Sequence, residues 1–361
     1  MREIQYKKFS WDIHKKNWRV KQPNVCQFEL TFRCGLHCKH CYTDCYNKDE
    51  YLERELSAVQ VKRLLDKIYN SGVIWLCFTG GDPLTRDDFL DIYSYAKKKG
   101  FIITIFTNAY SMTKEILDYL KKRPPFVIEM TLNGVTKETY EEISQVKGSF
   151  EKVMHGIDMI AQHKLPLKIK TQVMRHNLEE LPKIKEFVEG LGLRFRPSID
   201  LYASLDRGLS PCNSRISPQE ALKLDERLGV DSIKKEDGCN VNGARSALTS
   251  NPNLFRCAAG GGDGINLDPY GNMFLCSLIR EPCFNLLEAG IEDTVSKLLS
   301  LVRGKRFTTS SRCKECKIHE LCHSCPGRAL LEIGDMEAPV EYYCELAHLI
   351  AEKRTAKLLN G

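Results

Sequence analysis

From residue 25 onward, short runs of β-branched, aliphatic and aromatic residues alternate with stretches whose apolar positions recur at helical spacing. Val25 to Phe32, Val73 to Thr79, Phe101 to Thr107, Phe126 to Leu132, Leu167 to Met174 and Leu193 to Ile199 read as six strands. They are near-continuously apolar, as strands of a parallel sheet covered on both faces tend to be. The helices between them have visible starts. Ser57 precedes a stripe of Val61, Leu64, Leu65 and Ile68, while Thr85 with Asp88, Thr113, and Asn177 with Glu180 are further N-terminal signals. Another helix carries Phe150, Val153, Ile157 and Ile160 on one face, with Ser149 at its start. Successive βα units of about 30 residues, too few to close an eight-fold barrel, predict an α/β fold: a partial (β/α)6 TIM-like barrel whose chemistry lies at the C-terminal ends of its strands.

After Tyr202 the pattern changes. A polar stretch from Ser204 to Arg215 leads to a helix opened by Ser217, Pro218 and Glu220, and Gly, Asn and Ser then accumulate from Gly238 to Gly264. A hairpin is expected over Gly264 to Cys276, then a cysteine-dense loop, then a final helix from about Glu341 to Leu359. The expected organisation is an N-terminal arm (1–24), the barrel (25–205), a bridging region (206–256) and a small cysteine-rich α+β domain (257–361). That last domain has too few apolar residues for a self-sufficient core, so bound metal clusters are expected to supply stability.

Composition changes this picture in one respect. The 361 residues, 42% hydrophobic and 28% charged, suit a folded globular chain. The net charge of +6 comes from scattered basic residues and predicts neither nucleic-acid binding nor a strongly charged surface, beyond a patch for an acidic partner. No apolar run approaches the roughly 18 residues of a membrane span, and the N-terminus has no signal-peptide core, so a cytoplasmic location is expected. The 16 cysteines are the anomaly. Five precede Asn47, three lie in the long middle, and eight fall between Cys257 and Cys344. Such clustering in a reducing compartment points to metal or redox ligands rather than disulfides.

The first cluster, Cys34-Gly-Leu-His-Cys38-Lys-His-Cys41-Tyr42, follows the first strand directly. Three thiolates at this spacing, with a glycine to bend the chain, can wrap an iron-sulfur cluster and leave one iron open. A zinc loop completed by His37 or His40, or by Cys45, is the competing reading. The CxxxCxxC-Tyr run resembles the signature of the radical S-adenosylmethionine (SAM) superfamily, whose fold is the same partial barrel. The resemblance implies that Cys34, Cys38 and Cys41 hold a [4Fe-4S] cluster, that SAM chelates the exchangeable iron, and that Tyr42 lies beside the adenine. It also implies a SAM contact at Gly80-Gly81-Asp82-Pro83 after strand two, where the superfamily usually has Gly-Gly-Glu-Pro, and polar SAM contacts from Asn108, Asn133 and Thr171 or Gln172. Turn chemistry alone also accounts for these residues. Cys26 and Cys77 lie within strands and read as core.

The second cluster reads Cys257, Gly271-x4-Cys276, Cys313-x2-Cys316-x5-Cys322-x2-Cys325 and Cys344. Paired thiolates suggest zinc ribbons, but seven leave a second zinc site incomplete. The arrangement resembles the SPASM extension of radical SAM enzymes, which carries auxiliary iron-sulfur clusters. This chain has two residues, where that family typically has three, between Cys322 and Cys325. By the family pattern Cys313, Cys316, Cys322 and Cys344 would hold a distal cluster, and Cys257, Cys276 and Cys325 a proximal one. Either Cys239 completes the proximal set or an iron stays open; Cys212 and Cys283 read as bystanders.

The resemblance implies an oxidoreductase that cleaves SAM reductively to a 5'-deoxyadenosyl radical and modifies a peptide or protein side chain, by cross-linking or oxidation. Its electrons would come from a low-potential donor such as flavodoxin or ferredoxin. The alternatives are an anaerobic sulfatase-maturing (formylglycine-forming) enzyme, a SPASM enzyme acting on a small molecule, and a non-catalytic iron-sulfur or zinc protein. The 24 residues before strand one are too few for a separate leader-binding module. Asp200 and Tyr202, ending the sixth strand, are the candidates for acid-base work.

Overall fold

The computed structural model describes residues 5–20, 22–228, 253–257 and 264–359. Within the barrel the order is α1 (Tyr6–Val20), β1 (Val25–Thr31), α2 (Asp49–Leu52), α3 (Ala58–Asn70), β2 (Trp75–Gly80), α4 (Phe89–Lys99), β3 (Ile102–Thr107), α5 (Lys114–Lys122), β4 (Val127–Thr131), α6 (Lys137–Ser144), α7 (Ser149–Gln162), β5 (Leu167–Gln172), α8 (Leu181–Gly190) and β6 (Pro197–Ser198). Beyond it come α9 (Pro218–Leu228), β7 (Gly264–Leu267), β8 (Asn272–Phe274), β9 (Phe284–Asn285), α10 (Ile291–Arg303), α11 (Pro326–Ile333) and α12 (Glu341–Leu359).

The strands form one sheet in the order β6-β5-β4-β3-β2-β1-β7-β8-β9. β1 to β6 are parallel neighbours in chain order, the partial barrel that the alternating pattern predicts. The expected hairpin is β7 and β8, antiparallel, turning at Gly271 with φ +85°. Its first strand also pairs in parallel with β1, Val25 opposite Gly264 through Phe28 opposite Leu267. The C-terminal region therefore extends the barrel sheet. Its apolar residues, among them Ile265, Leu267, Met273 and Leu298, belong to the same continuous core as Phe28, Leu64 and Ile103. The shortage of apolar sequence after residue 257 is met by this shared core.

Alternation within the strands sets the two faces of the sheet. Cys26, Phe28, Leu76, Phe78, Ile103, Ile105 and Ile128 are buried against the helices. The other face carries Gln27, Cys77, Thr79, Thr104 and Phe106, all only half-buried, so Cys77, expected in the core, lies on the face opposite Cys26. Glu129 and Lys170 form an ion pair on this face, with the Lys170 ammonium over the Phe106 ring.

Several boundaries differ from the sequence reading. Ser57 caps α3 as expected and completes a capping box with Gln60, Thr113 caps α5, and Ser217 exchanges hydrogen bonds with Glu220 at α9. Asp88 precedes α4 but gives its carboxylate to Arg86 instead of the helix. Asn177 and Glu180 are spent across units: Asn177 bonds the carbonyls of Asn133 and Gln172, and Glu180 accepts from Val135 and Thr136. Gly148 occupies the N-cap of α7, and Ser149 pairs with Ser144 inside the fold. β6 shrinks to two residues because Pro197 offers no N–H and Arg194 and Arg196 are polar breaks on an edge strand. The sequence reading has no counterpart for α1, α2, α6, α10 or α11, the last two lying where it places a cysteine-dense loop.

The C-terminal region is also tied to β1 by charge. Arg280 donates to both oxygens of Glu29, at 2.6 and 2.9 Å, over the face of Phe274. Burial raises the Glu29 carboxyl above its ordinary range, with Arg280 opposing the shift. Arg280→Ala leaves a carboxylate stranded at 2% exposure and is expected to cost about 3–5 kcal/mol in urea unfolding. Adding Glu29→Gln should recover part of that loss, and a double variant as unstable as Arg280→Ala alone would show that the pair is not the cause.

Candidate functional site

The loop from Cys34 to Cys41 leaves β1 at its C-terminal end and is held from three directions. Asn47 brackets Cys34, accepting from its N–H at 3.2 Å and donating to its carbonyl at 3.1 Å. The backbone N–H groups of His37 and Lys39 bond the carbonyls of Ser144 and Ile143 at the end of α6. Gly35 lies under the Tyr110 ring, which a Cβ would strike at 2.5 Å. Asn108, after β3, donates its amide to the Cys34 sulfur at 3.3 Å.

Cys34, Cys38 and Cys41 are brought together as mutual electrostatic neighbours. Burial first, then nearby Asp82, Cys41 and Asp44, push the Cys34 thiol up to about 12. Burial, then Cys41 and Cys34, push Cys38 well above the usual range, and burial raises Cys41 as well. Three buried thiols near one another and near carboxylates can be held as thiolates only with cations among them, which fits a metal centre. Among the described residues no three His, Cys, Asp or Glu converge as ligands of a single ion. Cys45 turns away, its thiol on the Tyr42 carbonyl and its packing against Tyr46 and Leu205.

The other candidates stand at neighbouring strand ends. At Gly80 (φ +137°) a Cβ would meet the Thr31 carbonyl at 2.0 Å, and at Gly81 the Phe32 and Arg33 carbonyls at 2.5 and 2.4 Å. These glycines are needed for the close approach of β2 to β1. Asp82 is fully buried and faces inward, accepting from Leu84 N–H, Thr107 Oγ1 and Asn108 N–H. Asn133 accepts from Gln172 N–H at 2.8 Å and lies 3.4 Å from His40 Nε2; Gln172 donates to the Ser198 and Asp200 carbonyls. Tyr42 packs edge-on to Tyr202, with ring centroids 5.9 Å apart. Two polar networks thus leave the cysteine loop, one through Asn108 to the ends of β2 and β3 and one through His40 to the ends of β4 to β6.

The C-terminal thiols fall into two groups. Cys322 is raised by burial and then by Cys313, Cys344 and Cys316, and Cys313 by burial, Cys316 and Cys344. Cys276 is raised by burial and by Cys325, and it shares an apolar cluster with Cys257. Cys257, Cys313, Cys316, Cys322 and Cys325 line a cavity of about 620 Å³, room for metal clusters against these thiols. Cys212 and Cys283 stand apart, beside Glu332 and Glu281. Cys239 lies outside the described residues.

Asp200 lines the same cavity, with His323 Nδ1 at 3.1 Å and an Arg328 nitrogen at 2.9 Å on one carboxylate oxygen. These partners overcome the burial penalty and hold Asp200 well below the carboxylate range. A base works best with a pKa near the operating pH, so this environment suits an anchor better than a proton acceptor. Tyr202 sits beneath the Arg328 guanidinium, 4.8 Å from its ring centroid. The sequence reading missed Arg328, His323, Arg280 and Glu29. Only Glu29 carried a signal, a charge within an apolar strand, which burial obliges to find a partner.

The fold and site define a partial βα barrel with a three-thiol loop at its mouth and a second thiol-rich region joined to its first strand. The radical SAM superfamily pattern matches residues 28–188. The AdoMet-dependent heme synthase of Methanosarcina barkeri is 30% identical over 346 residues, covering 89% of this chain and 96% of that protein. The mycofactocin maturase MftC of Mycolicibacterium smegmatis is 26% identical, over 83% of this chain and 77% of its own. Streptococcus suis SuiB bound to precursor peptide SuiA has the same fold, with a TM-score of 0.67 at 15% identity, over 91% of this chain and 78% of its own. The chain belongs to the radical SAM superfamily and is an enzyme that uses a [4Fe-4S] cluster and SAM. No described helix is long and apolar enough to cross a membrane.

Asp82 yields a pH prediction. Burial pushes its carboxyl up to about 6 against its hydrogen bonds. An acid whose folded pKa is raised contributes stability below its unfolded pKa, near 4, that is lost as pH rises through about 6. Parent stability in urea should therefore fall across that window by up to about 3 kcal/mol more than that of Asp82→Asn. Parallel curves for the two proteins would show that Asp82 does not titrate there.

Proposed function

We propose that this enzyme oxidises a peptide or protein side chain, using the N-terminal thiols for SAM chemistry and the C-terminal thiols for electron transfer. Cys34, Cys38 and Cys41 hold the cluster that takes SAM. Tyr42, Gly80, Gly81, Asp82, Asn108, Asn133 and Gln172 shape the SAM site, with Asp82 acting through Thr107 and Asn108. Cys313, Cys316, Cys322 and Cys344 hold one auxiliary cluster, and Cys257, Cys276 and Cys325 the other. The functional units are residues 25–205 and 257–361, joined through 206–256.

When bound, the cluster and SAM supply a 5'-deoxyadenosyl radical after one electron arrives from a low-potential donor of the flavodoxin or ferredoxin kind. The barrel mouth excludes water and competing hydrogen donors around the substrate. A net two-electron oxidation removes a hydrogen atom, an electron and a proton from the substrate; the hydrogen atom would leave in 5'-deoxyadenosine, clusters held by the C-terminal cysteines would accept the electron, and solvent would take the proton. Asp200 and Tyr202 stand where the barrel mouth meets the auxiliary thiols, Asp200 as an anchor fixed by His323 and Arg328.

The observation that carries this reading is that Cys257, Cys313, Cys316, Cys322 and Cys325 line one cavity with Asp200, where clusters would stand as electron acceptors beside the mouth. A peptide substrate is supported by the maturase relative and by the fold shared with a precursor-bound enzyme. A small-molecule tetrapyrrole is the second reading, favoured by the heme synthase relative, which this chain matches along 96% of its length.

Anaerobic reconstitution with iron, sulfide and SAM should give three clusters in the parent and two in the Cys34, Cys38, Cys41 triple Ala variant, with 5'-deoxyadenosine formed only by the parent. Zinc without sulfide would overturn the assignment. Co-expression with peptides encoded beside the gene should yield a peptide lighter by a pair of hydrogen atoms or cross-linked. Unaltered peptides, together with turnover of an added iron porphyrin, would establish the tetrapyrrole reading instead.

A further inference from the structure

Arg328 lies in the first turn of α11, three residues after Cys325, and is 8% exposed. Its guanidinium is fixed between two rings, 4.8 Å from the Tyr202 centroid and 4.6 Å from that of Tyr343. One terminal nitrogen, Nη2, is spent on Asp200 at 2.9 Å and on the Tyr202 hydroxyl at 3.4 Å. The other, Nη1, is buried and has no acceptor among the described residues. A buried cationic N–H without a partner is costly, and such groups are rarely left unpaired. Arg328 lines the cavity shared by Cys257 and Cys325, and the Cys325 thiol is among the charges acting on it.

We propose that Arg328 is a positioning residue of the proximal auxiliary centre, its Nη1–H donating to sulfur on the Cys325 side and its charge setting the potential at which that centre accepts an electron. Hydrogen bonds and charge at cluster sulfur are the protein's levers on potential. A nearby cation stabilises the reduced cluster, which carries one more negative charge, and so raises the potential. Asp200 offsets part of that cation's field. Because Asp200 follows the barrel's sixth strand while Arg328 follows the cysteine loop, the same ion pair fixes the acceptor against the mouth where the substrate loses its electron. This inference rests on Cys257, Cys276 and Cys325 being cluster ligands.

The test is an EPR-monitored redox titration of full-length, anaerobically reconstituted protein carrying the Cys34, Cys38, Cys41 triple Ala change, which leaves the auxiliary centres alone in the spectrum. In that background Arg328→Gln should lower the midpoint potential by at least a tenfold change in the reduction equilibrium, about 59 mV for one electron. Asp200→Asn should raise it, and Arg328→Lys, which keeps the charge but not the planar donor, should fall between Arg328→Gln and the parent. A merely structural role predicts shifts of one sign or none, and either result overturns the proposal. Should Arg328→Gln lose its clusters, Asp200→Asn and Arg328→Lys still decide the matter by their signs. Absence of any auxiliary signal in the triple Ala background would instead refute the ligand assignment itself.

Discussion

Strand β1 is hydrogen-bonded along both edges, to β2 on one side and to β7 on the other, and the arrangement of the mouth depends on this. An open barrel leaves a strand edge whose backbone groups need partners once buried. β7 supplies them and brings the β7–β8 hairpin with it. That single pairing sets the cysteine-rich region beside the loop that leaves β1 at Phe32. It also places Arg280 on Glu29, where a buried carboxylate needs a cation. The continuous apolar core follows from the same pairing, since the hairpin contributes its inward residues to the layer that β1 and α3 begin.

The mouth is built from polar groups whose partners lie on other βα units. Asp82 after β2 takes donors from the end of β3, Asn133 after β4 takes the backbone of β5, and Gln172 of β5 donates to the residues of and after β6. Buried polar groups of this kind are stable only when satisfied, and each therefore fixes the register of its neighbour. The result is a mouth held at the thiol loop's own level, a preorganised setting for a reaction in which position and exclusion of water matter most.

The same rule accounts for where reading the chain stopped short. α6 was hidden between β4 and α7, yet its last carbonyls, at Ile143 and Ser144, hold the cysteine loop. Asn177 and Glu180 have the spacing of a helix start but serve the neighbouring unit, because their side chains are buried where cross-unit donors outcompete the local cap. That Gly80 and Gly81 also lie against the carbonyls of Thr31, Phe32 and Arg33 was not legible, because this contact is made between strands.

The sequence by itself determined the alternating βα architecture, the hairpin at Gly271, the long last helix, and the residues able to carry the chemistry. These depend on periodicity, turn preference and thiol spacing, all local properties of the chain. Tertiary structure alone decided that the C-terminal hairpin joins β1 and that Asp200, His323 and Arg328 meet at the mouth. Those choices come from pairing a buried strand edge and neutralising buried charges, contacts between residues as distant in the chain as Asp200 and Arg328.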